Sequence, residues 1–260
     1  MDIKELDIFS RSGERIRHPW EVARMRIIKR LLQPIFENEA SDCSILDVGC
    51  GDAYVIEQLD KSWPSLKYIG VDSAFTNDFI EKIKKQSSFL GKTSFCSDLS
   101  NIQTTDSIRV ALLLDVLEHI EDDQALLTDV ASRLDKGGHA LITVPAFQKL
   151  YYRHDKWLGH YRRYSRKDLQ GRVEKAGLTP VSSGYFFSGL LVPRILLKTI
   201  EMTLIKNPNE TPKGIGQWKY GKFLGNIIAS LLYCNGCLDI GLSKSGIHPI
   251  GLSVFSLCQK

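Results

Sequence analysis

The sequence lacks the features that mark several common classes of protein. Its net charge is only +4 over 260 residues, so no strongly basic composition indicates a nucleic-acid partner. This mild positive excess is compatible with an anionic ligand or with a membrane surface. Cys234 and Cys237 form a single C-x-x-C pair, and no second pair at matching spacing completes a zinc site. The six cysteines are scattered along the chain, which predicts buried free thiols in a reducing cytosol.

Long hydrophobic runs and targeting signals are also absent. No stretch of about 18 residues is both free of charge and apolar enough to span a bilayer. The first residues, M-D-I-K-E-L-D, are polar and charged, unlike those of a signal peptide. With 43% hydrophobic residues the chain can bury a full core, so we predict a single domain over residues 1–260 in the cytoplasm.

The stretch S-I-L-D-V-G-C-G-D at residues 44–52 is the most informative motif. Its apolar start predicts a buried strand that runs into a tight turn at Gly49 and Gly51, both of which tolerate φ > 0. Asp47, at the carboxyl end of this strand, then points into the crevice where open α/β sheets bind ligands. An ordinary turn between a strand and a helix remains the alternative.

Strands and helices alternate over the first 187 residues, which predicts a mostly parallel sheet with helices on both faces. Ser165 is predicted to be the N-cap of a helix at 166–176. The run L-D-K-G-G at 134–138 is predicted to be the C-cap of a helix at 122–134. The strands are predicted at 45–48, 66–71, 93–96, 110–114, 139–144 and 178–187. Helices are predicted at 20–36, where arginines occupy the polar face, and at 54–59, 75–86 and 122–134.

The D-V-G-C-G motif resembles the glycine-rich loop of class I S-adenosylmethionine-dependent methyltransferases. The family usually has a third glycine two positions on, where this chain has Ala53. The competing dinucleotide fingerprint, G-x-G-x-x-G, would need a glycine at Tyr54, which disfavours NAD or FAD. The resemblance covers Trp20 to about Tyr185. It implies a Rossmann-like α/β sheet with an antiparallel last strand and S-adenosyl-L-methionine as the cofactor.

The same resemblance implies roles for the residues at the ends of the first four strands. Gly49 and Gly51 would bring backbone amides to the methionine end of the cofactor, and Asp47 would hold its ammonium group. Asp72, with Ser73, follows the second strand where a ribose is gripped, although an acid here is also a common helix N-cap.

Two further segments continue this predicted cofactor site. Asp98 would bind the adenine amino group and the backbone of Leu99 a ring nitrogen, unless Asp98 only forms an Asx turn. Asp115 begins D-V-L-E-H-I-E-D-D, which resembles the family's segment lining the cofactor and acceptor pocket. His119 in this segment is a candidate catalytic residue, with packing or capping as the alternative.

The loop at 146–165 is unusually rich in aromatic, histidine and arginine residues. Arg162 and Arg163 are predicted to clamp a phosphate, pyrophosphate or carboxylate, and Tyr161 and Tyr164 to pack on an acceptor ring. His160, or else His154, is the candidate general base for a hydroxyl acceptor. A solvated basic loop is the plainer alternative. The run G-H-Y-R-R-Y-S resembles a methyltransferase branch linked to cell-surface glycan and lipid-linked saccharide pathways.

The C-terminal part predicts a helical insertion at 188–247 before a final strand within 248–260. Its two apolar stretches, 190–205 and 223–233, could pack on the domain, form a homodimer, or lie in a membrane interface over 188–233. Residues 1–18 are predicted to be an N-terminal arm, and residues 19–187 the cofactor-binding core.

These expectations combine into a methyltransferase that acts on a hydroxyl, on a saccharide or lipid-linked anionic acceptor. No metal is required, because the sulfonium already activates the methyl group, and no carboxylate cluster indicates magnesium. The alternatives are a methyltransferase for a small phenol, quinone or amine, an NAD-dependent oxidoreductase, or a non-catalytic binding subunit.

Overall fold

The computed structural model describes residues 17–37, 43–102, 107–204, 218 and 220–260. In these residues seven strands form one sheet in the order β3-β2-β1-β4-β5-β7-β6. β7 runs antiparallel to both of its neighbours, and the other paired strands are parallel. The strands are β1 Ser44–Val48, β2 Lys67–Val71, β3 Lys92–Cys96, β4 Ile108–Leu114, β5 Leu134–Pro145, β6 Thr179–Phe186 and β7 Ser253–Gln259. The predicted fold class is thereby confirmed.

Helices cover both faces of the sheet, because side chains alternate between the faces along each strand. On one face Ile45, Tyr68 and Leu112 pack with α1, α2, α3 and α8. On the other face Leu46 and Leu113 pack with α4 and α6. The helices are α1 Pro19–Phe36, α2 Tyr54–Asp60, α3 Asn77–Gln86, α4 Asp123–Arg133, α5 Arg153–Leu158, α6 Arg166–Lys175, α7 Leu191–Leu204 and α8 Gly221–Lys244.

The start of α1 is fixed by a capping box, which sets the helix against the carboxyl edge of the sheet. His18 accepts a hydrogen bond from the backbone of Trp20, and Glu21 accepts one from the backbone of His18. Only Arg17 and His18 of the predicted N-terminal arm lie among the described residues. One arginine of this helix departs from the expectation that they occupy its polar face, because Arg24 is only 7% exposed, whereas Arg30 is exposed as predicted.

The two glycines of L-D-K-G-G do not cap α4, so that prediction is wrong. The helix ends at Arg133, and Leu134 is already extended (φ −64°, ψ 143°). Gly137, with φ +75°, lies inside β5, at the place where the pairing of β5 with β4 shifts register. A glycine suits this irregularity because the left-handed conformation costs it little. By contrast, Ser165 caps α6 as predicted, through a capping box with Asp168.

The segment between β6 and β7 is helical, as predicted. α8 packs on α1 and β6, with Gly236 placed so that an added Cβ would lie 2.3 Å from Ile27. Asp239 is buried and accepts hydrogen bonds from the backbone and hydroxyl of Ser188. The expectation that no segment is apolar enough to cross a bilayer needs correction, since α8 meets the requirements by length and composition.

The six cysteines are all free thiols, as the sequence predicts, but they are not all buried. Cys43, Cys50 and Cys258 lie in the core, whereas Cys234 is exposed on α8. Burial raises the pKa of the Cys258 thiol to about 11, which disfavours the nucleophilic thiolate form.

Candidate active site

The turn after β1 forms a cradle that closely approaches the segment after β4. Gly49 has φ +70°, and a Cβ added to it would lie only 2.6 Å from Cγ2 of Val116. Gly51 (φ +55°) and Ala53 (φ +58°) are also left-handed. Ala53 therefore adopts the conformation that glycine favours, which accounts for the family's usual glycine at this position.

Asp47 presents a carboxylate oxygen that lacks a partner beneath this turn. Its side chain is 2% exposed, and Oδ2 has no hydrogen-bond partner among the described residues. Burial, reinforced by the nearby Asp72, raises the pKa of Asp47 to about 7. A cationic group placed at this oxygen would satisfy it, so the residue fits the ammonium of the predicted cofactor.

Asp72 lies at the end of β2, next to the same turn. Its Oδ2 accepts a hydrogen bond from the backbone N–H of Gly51 at 3.0 Å, and its Oδ1 accepts one from Ala74 at 3.0 Å. The carboxylate is thus fixed between the ends of two neighbouring parallel strands. The adjacent Ser73 is exposed.

Asp98 and Leu99 follow β3, one strand further along the same edge of the sheet. Asp98 is exposed, and Oδ1 accepts a hydrogen bond from the backbone of Ser100 at 2.7 Å. Hydrogen bonds from the side chain and from the backbone of Ser100 lower the pKa of Asp98. The backbone hydrogen bond makes Asp98 the cap of a single helical turn, Leu99–Asn101. The structure therefore contains the predicted Asx turn, and the adenine role stays a prediction.

A crevice between α1 and the glycine turn places opposite charges together. Trp20, Arg24 and Met25 of α1 line it, together with Asp47 and Gly49. The guanidinium of Arg24 lies 2.5 Å from a carboxylate oxygen of Asp115 and donates to the hydroxyl of Thr143 at 2.6 Å. Because Arg24 and Asp47 line one crevice, it offers groups of both signs to a zwitterionic amino-acid moiety.

The rim of this crevice is closed by a second ion pair. Arg17 lies 2.5 Å from Asp52 and 4.1 Å from the centroid of the Tyr54 ring. Arg17 and Asp52 were not predicted as site residues. They are brought together from opposite sides of the crevice by the docking of α1.

Asp115 and Glu118 lie between the crevice and the loop that follows β5. Asp115 is left-handed (φ +58°), which turns the chain sharply after β4. Glu118 is 1% exposed, and its Oε2 has no hydrogen-bond partner among the described residues. Burial raises the pKa of Glu118 well above its ordinary value, and the nearby Asp115 adds to this.

The two histidines predicted to be catalytic lie side by side. The rings of His119 and His160 are perpendicular, with centroids 4.5 Å apart. Nδ1 of His160 lies 3.0 Å from Oδ1 of Asp155, which is fully buried. This carboxylate orients the imidazole and leaves Nε2 as the ring nitrogen that can act on a substrate.

The predicted arginine clamp is not formed, because each guanidinium is held by a carboxylate of the protein. Arg163 donates from Nε and Nη2 to Asp155, at 2.7 and 3.1 Å. Arg162 pairs instead with Asp123 at 3.0 Å and remains one-quarter exposed.

The two predicted acceptor tyrosines also differ in their positions. Tyr164 is 1% exposed, and its hydroxyl donates to Asp123 at 2.6 Å, so it lies in the core and not on an acceptor surface. Tyr161 is 52% exposed and accessible to an acceptor. His154, the alternative base, stacks on Trp157 with ring centroids 5.9 Å apart, and burial lowers its pKa.

Several polar residues of the site were not predicted from the sequence. For Arg24, one signal was available: Glu21, Arg24 and Ile28 share a helical face that is otherwise apolar. Glu118 precedes His119 in one segment, and Asp155 follows His154 in another. Neither pair of residues indicates that the two segments lie close together. The two segments are joined by a hydrogen bond from the backbone N–H of Tyr161 to the carbonyl of Glu118, at 2.7 Å.

Comparisons with known proteins find similar methyltransferases. A curated relative, malonyl-[acyl-carrier protein] O-methyltransferase of Bacillus cereus, is 26% identical over 117 residues. That alignment covers 44% of this chain and 43% of the relative, so the chain spans less than half of the relative's length.

Two solved structures share the fold. Coclaurine N-methyltransferase, bound to N-methylheliamine and S-adenosylhomocysteine, is 14% identical to this chain and has a TM-score of 0.57. The match covers 99% of this chain and 81% of that one. Phosphoethanolamine N-methyltransferase 2 of Haemonchus contortus, in complex with phosphomonomethylethanolamine and S-adenosylhomocysteine, is 15% identical with a TM-score of 0.55, over 95% of this chain and 55% of that one.

The profile of one protein family matches most of the chain. This family is described as a methyltransferase domain, and it aligns with residues 20–183, from α1 through most of β6. The matched part contains the glycine turn, Asp72, Asp98 and both histidines. The chain therefore belongs to the methyltransferase domain family.

Proposed function

We propose that this methyltransferase transfers the methyl group of S-adenosyl-L-methionine to a hydroxyl of a saccharide or a lipid-linked anionic acceptor. The observation that carries the proposal is the buried Oδ2 of Asp47, which lacks a hydrogen-bond partner in the described part of the chain and lies beneath the left-handed Gly49 turn. That carboxylate would receive the ammonium of the cofactor, and Arg24 in the same crevice would attract its carboxylate. Asp72 would bind the ribose hydroxyls, and Asp98 with Leu99 the adenine.

The acceptor hydroxyl would approach from the side of His119 and His160. The methyl group is already activated by the sulfonium, so the protein has to align the hydroxyl oxygen, the methyl carbon and the sulfur, and to help the proton leave. His160, oriented by Asp155, is the leading candidate for this assistance. Of the four residues predicted to bind the acceptor, Tyr161 and the exposed part of Arg162 are accessible to it.

The helical insertion supports a lipid-linked acceptor at a membrane surface. Residues 188–247 contain seven lysines and arginines but three acidic residues, so their excess equals the net charge of the whole chain. Lys198 of α7 donates to the backbone carbonyl of Tyr151, which ties this helix to the loop beside the histidines. Exposed apolar side chains on the two helices are Val192, Leu196, Leu197, Ile200, Phe223, Ile227, Leu231 and Leu238.

A surface that is both apolar and basic suits an interface rich in anionic lipid. We therefore propose a cytoplasmic protein that binds membranes peripherally through α7 and α8. In flotation assays we expect recovery with vesicles containing phosphatidylserine, and a clear loss of recovery in a Phe223→Ser, Leu231→Ser double variant. Leu90→Ser is the matched control, because Leu90 is 67% exposed away from these helices.

If the wild-type protein stays unbound and sediments as a dimer that the double variant abolishes, the apolar surface is a homodimer interface instead. The alternative acceptor class, a small phenol, quinone or amine, is favoured by the N-methyltransferases that share the fold. A small acceptor would require neither the exposed helices nor the excess of basic residues.

The acceptor can be identified directly. Extract from the source cells, separated into lipid and aqueous fractions, would be incubated with the protein and S-adenosylmethionine carrying a deuterated methyl group. Mass spectrometry is expected to find the labelled methyl on oxygen in the lipid fraction. Label found on nitrogen, or only in small aromatic compounds, would refute the proposed acceptor class.

A further inference from the structure

The cluster formed by Glu118, His119 and His160 carries a further inference. One potential ligand atom from each residue lies within 4.8 Å of the others. A carboxylate and two imidazoles form a ligand set typical of divalent transition metals such as Zn²⁺, Fe²⁺ or Mn²⁺. We propose that these three residues bind one such ion beside the cofactor crevice.

The state of Glu118 is an independent reason to expect a ligand there. Its side chain is 1% exposed, and Oε2 has no hydrogen-bond partner among the described residues. Buried carboxylate oxygens are normally paired, so one without a partner requires an explanation. A bound cation would supply the missing partner.

The neighbouring arginines do not already fill this role. Arg24 lies 2.5 Å from Asp115, and Arg163 lies 2.7 Å from Asp155. Each guanidinium thus lies against a carboxylate other than Glu118. Both arginines are near enough to act electrostatically on Glu118, but neither donates a hydrogen bond to its Oε2, which favours a positive ion at the cluster.

The imidazole of His160 has the support that metal-binding histidines usually have. Its Nδ1 is 3.0 Å from Asp155, and a carboxylate on one ring nitrogen fixes the other for a metal. Metal–ligand bonds of about 2.0–2.2 Å place tetrahedral ligand atoms roughly 3.4 Å apart. The observed limit of 4.8 Å requires only modest rotations of the three side chains.

The use of the ion rests on the proposed function. Glu118, His119 and His160 would hold the ion, which would lower the pKa of a nearby acceptor hydroxyl so that its proton could leave to water. As the acceptor oxygen bonds to the methyl carbon, the carbon–sulfur bond would break and its electron pair would stay on the sulfur of S-adenosylhomocysteine. His160 would in this case assist the hydroxyl through the ion and would not itself take the proton.

Co²⁺ is a suitable probe, because its visible absorption reports on the ligands around it. Protein without an affinity tag would be treated with chelator, dialysed and titrated with Co²⁺, and each sample would also be titrated with S-adenosylhomocysteine. We expect one Co²⁺ per chain, displaced by Zn²⁺. Glu118→Gln, His119→Gln and His160→Gln should each weaken it by more than about 100-fold, since even outer-shell partners contribute about 10- to 100-fold.

His154→Gln is the matched control, because it removes a histidine of the same segment that lies outside the cluster. It should leave Co²⁺ binding unchanged. If S-adenosylhomocysteine binds but Co²⁺ does not, or if all variants bind Co²⁺ equally, the metal site is refuted and the proposed function is untouched. Failure of the wild-type protein to bind S-adenosylhomocysteine would instead count against the proposed function.

Discussion

Oδ1 of Asp155 lies 3.0 Å from Nδ1 of His160, in a pairing that is almost completely buried. Burial alone would raise the pKa of Asp155, but the hydrogen bonds from His160 and Arg163 outweigh it and hold that pKa well below its ordinary value. The carboxylate therefore stays ionised and fixes both the loop after β5 and the orientation of one candidate catalytic ring.

Asp155→Asn is expected to destabilise the fold strongly. The substitution leaves the buried guanidinium of Arg163 without its counter-charge, and breaking a buried pair in this way costs about 3–5 kcal/mol. Since the folded-state pKa of Asp155 is depressed, its stabilising effect is fully present above the unfolded-state pKa and is lost only as the pH falls through the folded value.

Urea denaturation near neutral pH measures this effect. Asp129→Asn serves as the control, because Asp129 pairs with Arg133 on the surface and should contribute at most about 1 kcal/mol. Equal losses of unfolding free energy in the two variants would mean that the buried pair stabilises the protein no more than the surface pair does.

The raised pKa of Asp47 predicts that cofactor binding depends on pH. Below about pH 7 the free protein holds Asp47 protonated, and the ammonium of the cofactor requires it ionised. The affinity for S-adenosylhomocysteine should therefore rise by up to about tenfold per pH unit below the pKa, and then level off. For the free protein the sign is opposite: stability decreases as the pH rises from the unfolded-state pKa of Asp47 towards about 7.

Calorimetric titrations across this pH range test the linkage. Asp47→Asn cannot ionise, so its weaker binding should show a flatter pH dependence than that of the wild type. A wild-type affinity that is constant from acidic to neutral pH would disprove the assigned contact between Asp47 and the ammonium group.

Asp72→Ala is expected to weaken S-adenosylhomocysteine binding by at least about 100-fold. Two charge-assisted hydrogen bonds to the ribose, at roughly 1.5–3 kcal/mol each, would be lost. Asp78→Ala removes an exposed carboxylate from α3 and should leave the affinity unchanged. Arg162→Ala should also preserve cofactor binding, but it should lower turnover. If it weakened cofactor binding as much as turnover, the assignment of Arg162 to the acceptor side of the site would be wrong.

Gly49→Ala and Gly177→Ala separate backbone strain from steric exclusion. Both residues have positive φ, so each alanine costs about 1–2 kcal/mol of stability. An alanine at 177 meets no atom within 4 Å, whereas one at 49 would clash with Val116 in the cofactor cradle. Thermal unfolding should show losses in both proteins, but only Gly49→Ala should impair S-adenosylhomocysteine binding. Impaired S-adenosylhomocysteine binding in both variants would contradict the proposal that the turn at Gly49 contacts the cofactor.

The sequence predicts the part of the site that is encoded in short, continuous motifs. S-I-L-D-V-G-C-G fixes a strand and its turn locally, and Asp72 follows the next buried strand, so parallel pairing alone brings Asp72 to the backbone of Gly51. The alternation of strands and helices and the resemblance to a known family also predict the mostly parallel sheet with its antiparallel last strand.

Contacts between distant segments could not be predicted in this way. Arg24 reaches Thr143 across 119 positions, and no local pattern determines that approach. The same holds for the loop after β5, where Arg163 and Tyr164 were assigned to an acceptor. In the structure Arg163 donates to Asp155 and Tyr164 donates to Asp123. A buried carboxylate binds the nearest hydrogen-bond donor, and a sequence motif does not show which donor that is.

The most direct test of the central claim is a calorimetric titration of the wild-type protein with S-adenosylhomocysteine and, separately, with NADH. We predict one S-adenosylhomocysteine bound per chain and no heat attributable to NADH. Binding of NADH without binding of S-adenosylhomocysteine would contradict the assignment of the crevice at Asp47, Gly49 and Asp72.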